Sequence, residues 1–101
     1  MITMTEYIDD AKKKLGIKTT TKLAQRLGVQ GNYLLRVYHQ QQACNDATVI
    51  RLAKLINDDP SRALIIAGFT AAMDNHKPIY ETMFRQYEAF TKKNGNRPKT
   101  L

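Results

Sequence analysis

The chain predicts an all-α fold, on three observations. Apolar residues recur at spacings of three and four, as in Leu23, Ala24 and Leu27 and again in Val29, Tyr33, Leu34, Val37 and Tyr38. Glycine closes such segments at Gly16 and Gly28, since it enters the left-handed region without steric cost. Capping residues open them: Thr5, Thr19 or Thr20, Asn45 or Asp46, Asp58 or Asp59 before Pro60, and Pro78 at the start of a last segment.

Taken in order, Thr5 is expected to cap a first helix with Glu6, Asp9 and Asp10 in its early turns and Lys12, Lys13 and Lys14 in its last. That polarity suits the helix dipole at both ends. Tyr7, Ile8, Ala11 and Leu15 give it an inward stripe, Gly16 ends it, and Ile17 and Lys18 lead into the next. The second helix is short, and its small Ala24 permits a neighbouring helix to cross closely at a steep angle. In the third, the apolar stripe turns inward and leaves Gln30, Asn32, Leu35, Arg36 and His39 largely on other faces. Three glutamines, Gln40 to Gln42, and a loop through Cys44 lead to a fourth helix with Val49, Leu52, Ala53 and Ile56 facing the core.

The fifth helix departs from simple amphipathicity. Residues 63–67 are all apolar, and Phe69, Ala71, Ala72 and Met73 continue the run around most of the circumference. One face suffices for a core, so another element or another subunit is expected to cover the remainder. Asn75, His76 and Lys77 form a break before a sixth helix striped by Ile79, Met83, Phe84, Tyr87 and Phe90, with Glu81, Arg85 and Glu88 elsewhere. The organisation expected is a domain over 1–75, a C-terminal helix over 76–94 for dimerisation or partner binding, and a frayed basic tail over 95–101.

The segment from Thr20 to His39 thus has the layout of a DNA-binding helix-turn-helix. The run Leu23-Ala24, Leu27-Gly28-Val29, Leu34 and Val37, followed by Val49-Ile50-Arg51-Leu52-Ala53-Lys54-Leu55, resembles the helix-turn-helix domain of phage Cro and repressor proteins. The resemblance spans roughly residues 6–69 and implies a five-helix domain of that type, here with an additional C-terminal helix. Two departures stand out. Gln30 occupies a position where that family often caps with serine or threonine, and Gly31 lowers helix propensity by about 1 kcal/mol relative to alanine.

Composition agrees. With 101 residues, 43% hydrophobic and 25% charged, the chain is an ordinary single-domain length and mix. Its net charge of +7 favours nucleic acid or an anionic surface as partner. The charge is concentrated: residues 11–57 carry nine bases against the single acid Asp46. The lone Cys44 excludes an internal disulfide and fits a reducing cytoplasm; no apolar run approaches the ~20 residues of a membrane span, and no signal pattern opens the chain. His39, Cys44 and His76 are too few and too scattered for zinc. His39, Asp46 and Thr48 order no nucleophile and base, and no glycine-rich phosphate loop exists, so neither an enzyme nor a cofactor is expected.

The function expected is sequence-specific duplex DNA binding by a transcription regulator, a phage or prophage repressor on the strength of the resemblance. Gln30, Asn32, Leu35, Arg36 and His39 are the candidates for base edges; Lys18, Thr20, Thr21, Lys22 and Tyr33 are those for phosphates. Ile65, Phe69, Met73, Ile79, Met83 and Tyr87 are the candidates for a homodimer interface that would match an inverted-repeat operator. The alternatives are an antitoxin whose residues 78–93 bind a toxin and a helical protein-binding adaptor whose basic charge is incidental; the protein partners to consider are an antirepressor or a toxin.

Overall fold

The computed structural model describes residues 1–93; the basic tail expected over 95–101 lies outside them. Six α-helices follow in order: α1 (Met4–Leu15), α2 (Thr20–Leu27), α3 (Gly31–Tyr38), α4 (Asp46–Leu55), α5 (Pro60–Ala71) and α6 (Lys77–Lys93), with a 3-10 turn over Asp74–His76. The described residues contain no strand. None of these helices is long and apolar enough to cross a membrane.

The caps explain the boundaries. Thr3, not Thr5, opens α1: its hydroxyl accepts from the Glu6 amide while the Glu6 carboxylate accepts from the Thr3 amide, a reciprocal capping box. Thr5 instead donates its hydroxyl to the Tyr38 carbonyl, joining α1 to the end of α3. Thr19 caps α2, Asn45 caps α4 and Asp59 caps α5, each through a side-chain oxygen on a first-turn amide. At the other ends α1 to α4 finish alike. A left-handed residue follows each, directly at Gly16 and Gly28 and one residue later at Gln40 and Asn57, and two backbone bonds close back onto the last turn.

α1 packs against α2, α3 and α5; α2 against α3 and α4; and α4 against α5. The core these contacts enclose is continuous. Tyr7, Ile8 and Ala11 of α1 meet Leu23, Ala24 and Leu27 of α2, Leu34 and Val37 of α3, Val49, Leu52 and Ala53 of α4, and Ala63 and Ile66 of α5. At about 25 cal/mol per Å² of apolar area, this burial is what holds five short helices, none of which would be stable alone.

α5 is shorter than the apolar run suggests. It ends at Ala71, and Ala72 and Met73 are extended, so Met73 leaves the helix before the 3-10 turn that replaces the expected break. α6 then covers part of the surplus apolar face of α5. The close approach is at Gly68, where an added Cβ would lie 2.3 Å from the Tyr80 ring. α6 buries none of its own side chains fully, yet it is tied down by polar contacts. The Tyr87 hydroxyl donates to Asp59 Oδ2 (2.8 Å), and Lys77 Nζ donates to the Phe69 carbonyl (2.8 Å).

A buried acid pair organises this corner. Asp58 Oδ2 accepts from the Tyr7 hydroxyl (2.8 Å) and from Arg62 Nη1 (2.9 Å), and Asp58 Oδ1 accepts from the Asp59 amide (2.8 Å). Burial pushes the Asp58 carboxyl up, but these three donors and the positive charge of Arg62 outweigh it and hold the group below its ordinary value.

Candidate nucleic-acid interface

The geometry begins where α2 and α3 cross. Gly28 closes α2, Val29 donates to the Ala24 carbonyl (3.0 Å), and two residues later α3 starts. Gly31, its first residue, lies against Thr21 of the first turn of α2: a Cβ there would sit 3.1 Å from Thr21 Cγ2. The residue that weakens α3 by propensity therefore permits two helix N-termini to lie side by side. Thr19 closes the first turn of α2 through the Lys22 amide (3.1 Å). Gln30, the cap of α3, makes no such side-chain bond, so the first-turn amides of α3 are not closed by their own cap.

Outward from this crossing, Gln30, Asn32, Arg36 and His39 are exposed, Leu35 is half-exposed, and Leu34 and Val37 on the opposite side are buried. Asn32, Arg36 and His39 stand at successive turns and so share one face. Arg36 Nε donates to Gln42 Oε1 (2.8 Å). His39 meets the Tyr38 ring edge-on with centroids 5.3 Å apart.

Of the residues expected at phosphates, Lys18, Thr21 and Lys22 are exposed. Thr20 is not: it is 6% exposed and its hydroxyl accepts from Lys12 Nζ (3.3 Å), because the first position of α2 points into the core beside α1. Tyr33 is half-buried, and its hydroxyl accepts from the Asn45 amide (2.8 Å); burial pushes its pKa up. The expected interface residues also divide. Met73 and Ile79 are 68% and 58% exposed, and Met83 is exposed as well, whereas Ile65, Phe69 and Tyr87 are half-buried, Phe69 beneath Lys77 and Tyr87 bonded to Asp59. Phe90, at 55%, extends the exposed set along α6.

Three residues act in ways the sequence pattern did not reveal. Arg51 of α4 donates Nη1 to the Leu27 carbonyl (2.7 Å), satisfying an orphan group at the end of α2 across 24 positions of sequence. Gln42 engages Arg36 from a loop that carries no periodicity. Tyr38 donates its hydroxyl to Asp9 Oδ1 (3.0 Å), which pushes its pKa up, and lies under Lys12 (4.8 Å), so α3 is clamped to α1 from behind. Compared with known proteins, the chain matches no family model, no curated sequence and no solved structure.

Proposed function

We propose that the chain is a sequence-specific double-stranded DNA-binding transcription regulator that lays α3 in the major groove. One observation carries this reading: the exposed face of α3, with Gln30, Asn32 and Arg36, is backed by a buried face and clamped from behind by α1 and α2. Amides suit adenine edges and an arginine fork suits guanine, while a helix held rigidly enters the groove in one register. Lys18, Thr21 and Lys22, with the adjoining helix N-termini, supply phosphate contacts on the flank. The excess of bases in residues 11–57 adds the sequence-independent attraction.

As a phage or prophage repressor of the Cro kind it would block a promoter by occupying an inverted repeat as a homodimer. The phage setting comes from the resemblance alone, and the dimer from the exposed Ile79, Met83 and Phe90 of α6. The same stripe favours a second reading, an antitoxin that represses its own operator and holds a toxin with α6. Binding-site selection from random duplexes, followed by gel shift, tests the shared part. An enriched palindromic site is expected; absence of any enriched sequence overturns it and leaves the protein-binding adaptor.

A further inference from the structure

We propose that Gln42 is a positioning residue for Arg36, an inference that rests on the DNA-binding reading of α3. Arg36 lies in the last turn of α3 with its side chain exposed, where a long flexible chain would ordinarily sample many rotamers. Its Nε donates instead to Gln42 Oε1 at 2.8 Å. Six positions separate the two residues, and the contact exists because the chain doubles back after α3. Gln40 turns left-handed at φ 58°, its amide donates to the Val37 carbonyl (3.0 Å), and the Gln41 amide donates to the carbonyl of Arg36 itself (2.9 Å). The loop thereby holds Arg36 at both backbone and side chain. It is in turn fastened to α1, since Gln40 Nε2 donates to the Thr5 hydroxyl oxygen (3.3 Å) and Thr5 donates to the Tyr38 carbonyl.

The chemistry of the contact fits this role. A guanidinium has five N–H donors in one plane, and the bond to Gln42 occupies the one on Nε, leaving the Nη1 and Nη2 fork outside it. That fork is what meets the paired acceptors of a guanine edge. The acceptor is a neutral amide, so the guanidinium keeps its full charge toward an anionic duplex. A carboxylate in its place would hold the same geometry while cancelling that charge. Fixing the side chain before binding removes an ordering cost equivalent to about two- to ten-fold in affinity.

Two measurements on the full chain test this. The first compares Gln42→Ala, Arg36→Ala and the double variant by gel shift and binding-site selection. Gln42→Ala is expected to lose about two- to ten-fold on the selected operator and little on random duplex, and to weaken preference at the same base pair that Arg36→Ala relaxes. The double variant should be no worse than Arg36→Ala, because two residues acting through one fork are not additive. Gln42→Glu should keep the base preference with lower affinity for all DNA and a flatter salt slope. Relaxation at a different base pair with additive losses would mean that Gln42 reads a base itself, and unchanged operator affinity would mean that it does nothing; either overturns the proposal.

The second measurement is independent of DNA. In the free protein the Arg36 Nε–H resonance should be shifted and protected from exchange, and should lose both properties in Gln42→Ala while the melting temperature stays within about 3 °C. An unprotected resonance in the parent chain overturns the positioning role even where an operator is selected. A protected resonance in a chain that selects no DNA overturns the proposal through the function it rests on, so the two failures are told apart.

Discussion

Gln40 sits at φ 58°, in a region where a non-glycine residue costs about 1–2 kcal/mol, while Gly16 and Gly28 occupy the equivalent turns of α1 and α2 without that cost. Gln40→Gly should therefore stabilise the protein by about 0.5 kcal/mol, the gain being reduced by the larger backbone entropy of glycine in the unfolded chain and by loss of the exposed Gln40–Thr5 bond. A urea midpoint that fails to rise would show the turn to be unstrained. Asp58 gives the opposite kind of prediction. Its folded pKa lies below the ordinary carboxylate value near 4, so its contribution is fully present above that value and is lost as pH falls toward the folded value. Asp58→Asn should cost about 1–3 kcal/mol at pH 7, because a single neutral carbonyl oxygen replaces the two charged ones that accept from Tyr7, Arg62 and the Asp59 amide, and should flatten the fall in urea midpoint between pH 5 and 3. An unchanged acid slope would remove Asp58 from that linkage. At this scale the glycine stops and the capping of α2, α4 and α5 were legible in residue type. The spacing of three between Thr3 and Glu6 carries the capping box of α1 as well, whereas Thr5, beside the acidic turn, bonds to the end of α3. Asn57 belongs to a residue type that enters the left-handed region more readily than most, whereas nothing in an isolated glutamine marks Gln40 for it.

Between elements, close approach decides what propensity cannot. Gly31, which lowers helix propensity, and Gly68 are both notches, one for Thr21 and one for the Tyr80 ring. Gly68→Ala should push α6 off α5 and lower stability by about 1–3 kcal/mol, and Tyr80→Leu in the same chain should recover part of the loss. No change in melting temperature on Gly68→Ala would mean that the ring moves aside freely. The division between α2 and α3 yields a second contrast under the proposed reading. Arg36→Ala on α3 should cost about 1–3 kcal/mol on the selected operator and much less on random DNA, relaxing one base pair per half-site. Lys22→Ala on α2 should weaken both by a similar factor and reduce the salt slope by about one. Equal losses for Arg36→Ala on both DNAs would assign that residue to phosphate. The helix periods and the α2–α3 crossing were legible because they repeat along the chain. The Arg51 contact and the inward turn of Thr20 depend on which helix lies opposite, and the Gln42 contact on the left-handed turn at Gln40, none of which a periodic pattern carries.

Over the whole molecule, the face proposed to read DNA and the apolar surplus fall on different elements, which under that reading bears on how many chains act together. Each chain has one α3, so if the proposed operator has two half-sites about 34 Å apart in the major groove, it would need two chains. Those chains require a contact, and the candidates on α6 are now narrower than the apolar run suggested. Tyr80, Phe84 and Tyr87 face inward over Gly68, Arg62 and Asp59, and Ile65 and Phe69 lie half-covered in the body. Ile79, Met83 and Phe90 remain outward, and in an α-helix the offsets of four and eleven put them on one side within about 40°. Lys77, Glu81, Arg85, Glu88 and Lys92 fall by the same periodicity on the far side, and Lys93 alone flanks the stripe, at the C-terminal end of α6. Paired Ile79→Asp and Met83→Asp substitutions should therefore leave melting nearly unchanged, since both side chains are already exposed, while a dimer becomes an 11.5 kDa monomer by light scattering. Affinity for the full inverted repeat should fall toward that for a single half-site, and the half-site affinity itself should hold. A parent chain that runs as a monomer at micromolar concentration, both alone and on the selected operator, would refute the two-fold arrangement and direct the stripe to a different protein.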